Sequence, residues 1–262
     1  LLTKRKPPTF KKIEPMSLQE VYISSPFGMV SSFFYGTIQS ALFTLLAVYA
    51  VGMNFSIFQI SVVTFLLAIS GAISQWPIGK LSDMYDRRKV IISVSFAAAF
   101  FALCAIFASG TMYYDGVLGS SKLWFYLFLI LFSFCSLPMF SLILAHTNDF
   151  IPKEKFVAAG ASLQFTFGMG AMGGPFFCSI LMGIVGSNGF FIFLLFFHIL
   201  IGFYGIYRSR IRPVVENPDS QFVAMPQSIT PAGIELNPTT EPIDEPIKNS
   251  TQNTIEEENK TY

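Results

Sequence analysis

The sequence is poor in charge: only 13% of its residues are Asp, Glu, Lys or Arg, where a soluble domain carries roughly a quarter. Histidine occurs twice and cysteine three times. Cys104, Cys135 and Cys178 fall singly in apolar runs. They lack metal-ligand spacing and read as reduced thiols packed as small hydrophobes. No metal and no cofactor is expected. The net charge of +1 favours neither an acidic partner nor nucleic acid, and no nucleic acid is expected to bind. The opening residues, LLTKRKPPTFKK, are basic and lack the apolar core of a signal peptide. The chain begins at Leu1 rather than Met, so its true N-terminus is expected upstream.

Apolar residues, by contrast, make up 52% of the chain, 30 of them phenylalanine, and the mean hydropathy is +0.55. A water-soluble chain of 262 residues cannot hide that much apolar surface in one core. A bilayer can. Its hydrocarbon layer, about 30 Å thick, needs roughly 20 apolar residues as helix. Six stretches meet that length, at 27–51, 57–79, 89–109, 123–148, 157–186 and 189–207, and charge is confined to their edges. The expected fold is an all-α integral membrane protein, a six-transmembrane-helix bundle spanning 26–210. Residues 1–25 would form a cytoplasmic linker that leads into it. Within that linker Ser17-Leu18-Gln19-Glu20 has the form of a capping box, which would open a short surface helix; a plain loop is the other reading. Residues 211–262 are expected to be a disordered cytoplasmic tail, because seven prolines and nine acidic residues crowd its sequence from 213 onward.

The placement of charge sets the orientation. If six spans alternate, fourteen basic residues fall on the side of the N-terminus, from Lys4 to Arg212, against Lys122 alone on the other. Positive-inside asymmetry then puts both termini in the cytoplasm.

The second and third stretches are joined by Gly79-Lys80-Leu81-Ser82-Asp83-Met84-Tyr85-Asp86-Arg87-Arg88-Lys89, a charged loop on the cytoplasmic side. It resembles the major facilitator superfamily signature G-x-L-x-D-R-x-G-R-R/K, with Met84 in place of Arg and Asp86 in place of the second Gly. The D-R-R of Asp86, Arg87 and Arg88, the run Gln75-Trp76-Pro77-Ile78-Gly79 and the run Ala145-His146-Thr147-Asn148-Asp149 are similar to a poorly characterised bacterial branch of that family. The resemblance covers residues 15–210. It implies the C-terminal half of a twelve-helix secondary transporter in the bacterial inner membrane, whose other partners are the lipid bilayer, a small-molecule solute and a missing N-terminal six-helix half. It also implies that Gly79, Leu81, Asp83, Asp86, Arg87 and Arg88 act as a cytoplasmic latch that breaks and reforms during alternating access. On physical grounds alone, Asp83 suits a neighbouring helix N-terminus. Arg87 and Arg88 have Asp83, Asp86 and Asp149 as candidate partners. A loop that merely enforces topology is the plainer reading.

The fifth stretch contains Gly168-Met169-Gly170-Ala171-Met172-Gly173-Gly174-Pro175. The G-x-G-x-x-G within it follows no strand and lies in an apolar helix, so it is not a dinucleotide site. Gly170 and Gly174, with Gly173, instead let helices touch, and Pro175 adds a hinge. Gln39, Tyr35, Ser70, Gln75 and Gln164 are candidate cavity-lining residues. Gln39 and Gln164 stand out, because an amide in a bilayer is costly without a partner or water; a helix–helix hydrogen bond is the plain alternative for either. The resemblance places the first, second, fourth and fifth spans around the cavity and the third and sixth against lipid. His146, three residues before Asp149, could form a pH-sensitive gate contact with it. His198, in the sixth span, is expected to be an ordinary packed or interfacial residue.

No carboxylate lies within a span, so this segment offers no obvious proton carrier. Asp83, Asp86 and Asp149 sit among arginines and the histidines are far apart, which argues against an enzyme. The alternative function is a stand-alone six-helix channel or scaffold acting as a homodimer.

Overall fold

The computed structural model describes residues 16–111 and 120–211. The N-terminal linker before Met16, the 112–119 connector and the proposed tail lie outside the described residues. Helix α1 (Leu18–Ser24) starts on the expected capping box: the Ser17 hydroxyl accepts from the Glu20 N–H, and the Glu20 carboxylate accepts from the Ser17 N–H. Pro26 then opens α2 (Pro26–Gly52), where its missing N–H costs nothing. Asn54, held at a φ of 58°, turns the chain. A second capping box, Ser56 with Gln59, starts α3 (Ile57–Met84). The other helices are α4 (Arg87–Thr111), α5 (Ser120–Ser136), α6 (Met139–Asn148), α7 (Phe156–Val185) and α8 (Gly189–Ile211). A 3-10 turn at Lys153–Lys155 precedes α7. Counting α5 and α6 as one span, six helical segments are long and apolar enough to cross a membrane.

Two boundaries differ from the sequence reading. The charged segment 79–89 is not a loop: α3 continues to Met84 and α4 begins at Arg87, leaving only Tyr85 and Asp86 between them. Hydropathy marks the thickness of the bilayer, whereas backbone hydrogen bonding carries the helices past it. The stretch 123–148 is not one helix either. It breaks at Leu137 and Pro138, because proline removes an N–H and clashes with the preceding turn.

The helices pair in a symmetric order. α7 packs on α2, and α3 packs on α5; α4 packs on α8; α5 lies against α4 as α8 lies against α2. Exchanging the first three spans with the last three maps α2–α7 onto α3–α5 and α4–α5 onto α2–α8, and leaves α4–α8 in place. Three is odd, so the second set runs opposite to the first, the arrangement of two inverted three-span repeats.

Small residues and hydroxyls make the swapped contacts. A Cβ on Gly36 would overlap the backbone of Phe167, one on Gly170 the carbonyl of Phe33, and one on Gly174 the carbonyl of Thr37. In the same α2–α7 interface Ser32 donates to Leu163 O at 2.9 Å and Thr37 to Gly170 O at 3.2 Å. The matching α3–α5 interface has Ser70 donating to Ile130 O at 2.7 Å and Ser133 to Leu67 O at 2.6 Å. Gly71 leaves room there for the Leu137 side chain. Away from the charged segment, Tyr49 stacks on Phe125 and Phe190, with Phe191 edge-on to them, and these rings fill the core.

His198 is packed rather than interfacial. It is fully buried, with Nε2 3.0 Å from the Ser136 hydroxyl and Nδ1 2.7 Å from Leu194 O. A stripe of exposed rings on other positions of α8, Phe196 and Phe203 among them, faces outward instead.

Candidate functional site

The short Tyr85–Asp86 link places the last turn of α3 directly beside the first turn of α4. Asp86 Oδ1 accepts the Arg88 backbone N–H at 3.0 Å, so it satisfies one of the free donors that open α4. Asp83 and Arg87, four residues apart, meet across the link, Nη2 to Oδ1 at 3.2 Å. The Nη1 of Arg87 turns the other way. It donates to Asp149 Oδ1 and, at 3.2 Å, to the carbonyl of Ala145 on α6. Arg87 is 3% exposed and Asp149 7%, whereas Asp83 is 39% exposed. The dominant electrostatic contact is therefore the buried Arg87–Asp149 pair. Asp83 adds a weaker, better-hydrated partner.

This geometry joins the two three-span sets at one end of the bundle, since Arg87 belongs to the first and Asp149 to the second. Arg88 makes a parallel link, reaching the backbone carbonyl of Arg208 on α8 at 3.5 Å. Of the remaining latch residues, Gly79 is buried and Leu81 is exposed. Asp83 pairs with Arg87, one of the partnerships expected for it, and Asp86 accepts the Arg88 N–H at the start of α4.

His146 lies in the same region, its ring edge-on to Phe27 at 5.2 Å and to Phe150 at 5.1 Å between centroids. A Cβ on Gly28 would overlap the Thr147 hydroxyl, so α2 and α6 approach closely just beside it.

The candidate cavity residues divide. Tyr35 is fully buried and donates to the carbonyl of Leu137, at the α5–α6 break, at 3.1 Å. Ser70 bonds across to α5, as described. Gln75 is half-buried. Gln39 is 3% exposed, and neither its amide oxygen nor its nitrogen has a hydrogen-bond partner among the described residues. The amide oxygen of the half-buried Gln164 lacks one as well. In the Gly-Pro segment Gly170 and Gly174 face α2, whereas Gly173 meets only the Phe177 ring of its own helix. Pro175 lies inside α7. The sequence reading missed Pro138, Gly36 and Gly71; a proline inside a long apolar run was the available signal for the first.

Two interlocked three-span sets with a buried ion pair closing one end define a multi-pass helical membrane protein of transporter architecture. The chain belongs to the major facilitator superfamily, whose family profile matches residues 28–242. Members of this family are transmembrane solute transporters rather than enzymes. The chain is 28% identical over 168 residues to the uncharacterized MFS-type transporter YfkF of Bacillus subtilis strain 168, covering 61% of this chain and 39% of that protein. It is 25% identical over 171 residues to the uncharacterized MFS-type transporter YE1530 of Yersinia enterocolitica, covering 65% of this chain and 41% of that protein. Both matches span well under half of these relatives. No solved structure matches significantly.

Proposed function

We propose that this chain is the C-terminal six-helix half of a twelve-helix secondary transporter, which moves a small solute across a bacterial inner membrane by alternating access. The observation that carries this reading is the buried Arg87–Asp149 pair with Asp83 beside it, which ties the two three-span sets together at the charged end. A contact of that kind is strong when closed and is lost as a unit when the ends separate, which suits a latch. Asp86 and Arg88 hold α4 in register for it, and Gly79 and Leu81 complete the motif. The charge asymmetry of the sequence supports a cytoplasmic location for this end and for both termini. His146 and Asp149 form the gate region next to the latch.

Gln39 is the residue proposed to meet solute or water in the open state, because a buried amide without a partner costs about 1–3 kcal/mol and the closed bundle supplies none. Tyr35, Ser70, Gln75 and Gln164 are proposed to line the same path. The Gly170–Pro175 segment would let α7 bend as the path opens.

The partial coverage of both relatives supports a second six-helix unit, as do the exposed apolar faces of α3 and α7, which carry Phe65, Ile73 and Trp76 and Phe165, Met172 and Phe176. The decisive test is the coding sequence upstream of Leu1. A second six-span unit in frame, with its own Gly-x-Leu-x-Asp segment, is the expected result. A start codon near Leu1 preceded by a stop would remove the half-transporter reading and leave the homodimeric channel or scaffold.

A further inference from the structure

A small cleft opens at the charged end of the bundle, between the ends of α2, α4, α6 and α8. Ser25, Phe27, Arg88, His146, Phe150 and Arg208 line it. Three of these six carry basic side chains and none is acidic. The nearby carboxylates are already engaged, Asp83 and Asp149 by Arg87 and Asp86 by the start of α4. Arg88 and His146 are almost fully buried. Ser25 is 1% exposed, and its hydroxyl has no hydrogen-bond partner among the described residues. The Arg208 side chain is half-exposed at the mouth and forms no ion pair among the described residues, while its carbonyl receives Arg88. The lining therefore gathers two arginines, a histidine and a spare hydroxyl, with no carboxylate among them.

We propose that this cleft binds the phosphate group of an anionic phospholipid. The whole space is about 210 Å³ including its open mouth, and its enclosed part has room for a single water-sized group. One phosphate oxygen enters between Ser25, Arg88 and Arg208; the remainder of the headgroup stays at the mouth. Arginine suits this role because its fixed fork of N–H donors matches phosphate oxygens. The position favours a lipid over a soluble phosphate. The mouth lies where the last turn of a spanning helix emerges, and Tyr22 and Tyr207 are exposed on α1 and α8 beside it, the residue type that settles at headgroup level. Basic pockets between spanning helices are suited to such headgroups. The inference needs only that the chain spans a membrane, so it stands apart from the transport reading.

The test is binding of phosphatidylglycerol to the detergent-purified full chain, read by native mass spectrometry and by titration. Arg208→Gln should weaken it by about fivefold or more, and Ser25→Ala should weaken it measurably. Arg208→Lys should retain part of the affinity. Arg210→Gln, on the same helix turn, exposed and outside the cleft, should leave binding unchanged. Equal losses from Arg208→Gln and Arg210→Gln would mean general surface charge and overturn the proposal. So would inorganic phosphate displacing the lipid at equal affinity, which would make the ligand a soluble anion. Unaltered melting temperature in the Arg208 variants separates loss of binding from loss of fold.

Discussion

Arg87 holds two carboxylates, Asp83 at the end of α3 and Asp149 at the end of α6, and burial decides how much each matters. Removing a partner from a buried pair costs about 3–5 kcal/mol, mainly because the other charge is left without compensation. Arg87→Leu should therefore lower the melting temperature of the detergent-solubilised chain sharply. Arg87→Leu combined with Asp149→Leu should recover a large part of that loss. Asp83→Asn should cost much less, since water already shares that carboxylate. If the three variants melt alike, the pair is not the dominant contact. Gln39 invites the opposite experiment. Its amide is buried without a partner among the described residues, so Gln39→Leu should stabilise the chain, by up to about 1–3 kcal/mol, while impairing function. A destabilised Gln39→Leu would reveal a structural hydrogen bond. Cysteine at position 39 of the whole transporter, in a background lacking Cys104, Cys135 and Cys178, should react with water-soluble thiol reagents in one transport state. Inertness in every state would count against a cavity position.

Elements show how a departure from a family pattern can keep its mechanics. Asp86 stands where the signature has glycine, and it caps α4 through the Arg88 N–H. Substituting such a cap by alanine costs about 0.5–2 kcal/mol, and by glycine only a few tenths. Asp86→Ala should thus destabilise the chain more than Asp86→Gly, measured by thermal unfolding; the reverse ranking would remove the capping account. The α2–α7 interface depends on backbone contact. Gly170→Leu would drive a side chain into the Phe33 carbonyl. Overpacking of this kind costs about 1–3 kcal/mol. Gly168→Leu on the same helix meets open space and should be nearly neutral, so the two variants together separate packing from any general intolerance of α7.

For the whole molecule, the symmetric pairing of helices brings Arg87 of the first three-span set beside Asp149 of the second at one end of the bundle. Because α3 packs on α5 and α7 on α2, each three-span set is threaded through the other, and the two cannot simply slide apart. Tyr49, stacked on Phe125 and Phe190, and Phe191, edge-on to them, pack the bundle away from the charged end.

The six spans, the charged segment between the second and third, and the membrane setting were legible in the sequence, because the bilayer imposes a length of apolar helix that no soluble core requires. The contact between Arg87 and Asp149 was legible as well, as one of the candidate pairings of the charged segment. What the linear pattern left open was direction. Hydropathy is the same on every side of a spanning helix, since lipid and a neighbouring helix are equally apolar, so it did not reveal that His198 faces Ser136 rather than lipid. Nor did it show that Ser70 serves a helix interface or that Arg87 turns one nitrogen towards α6. Those outcomes depend on which helices become neighbours, and that was decided in three dimensions, where Gly36, Gly71, Gly170 and Gly174 allow the backbones to meet.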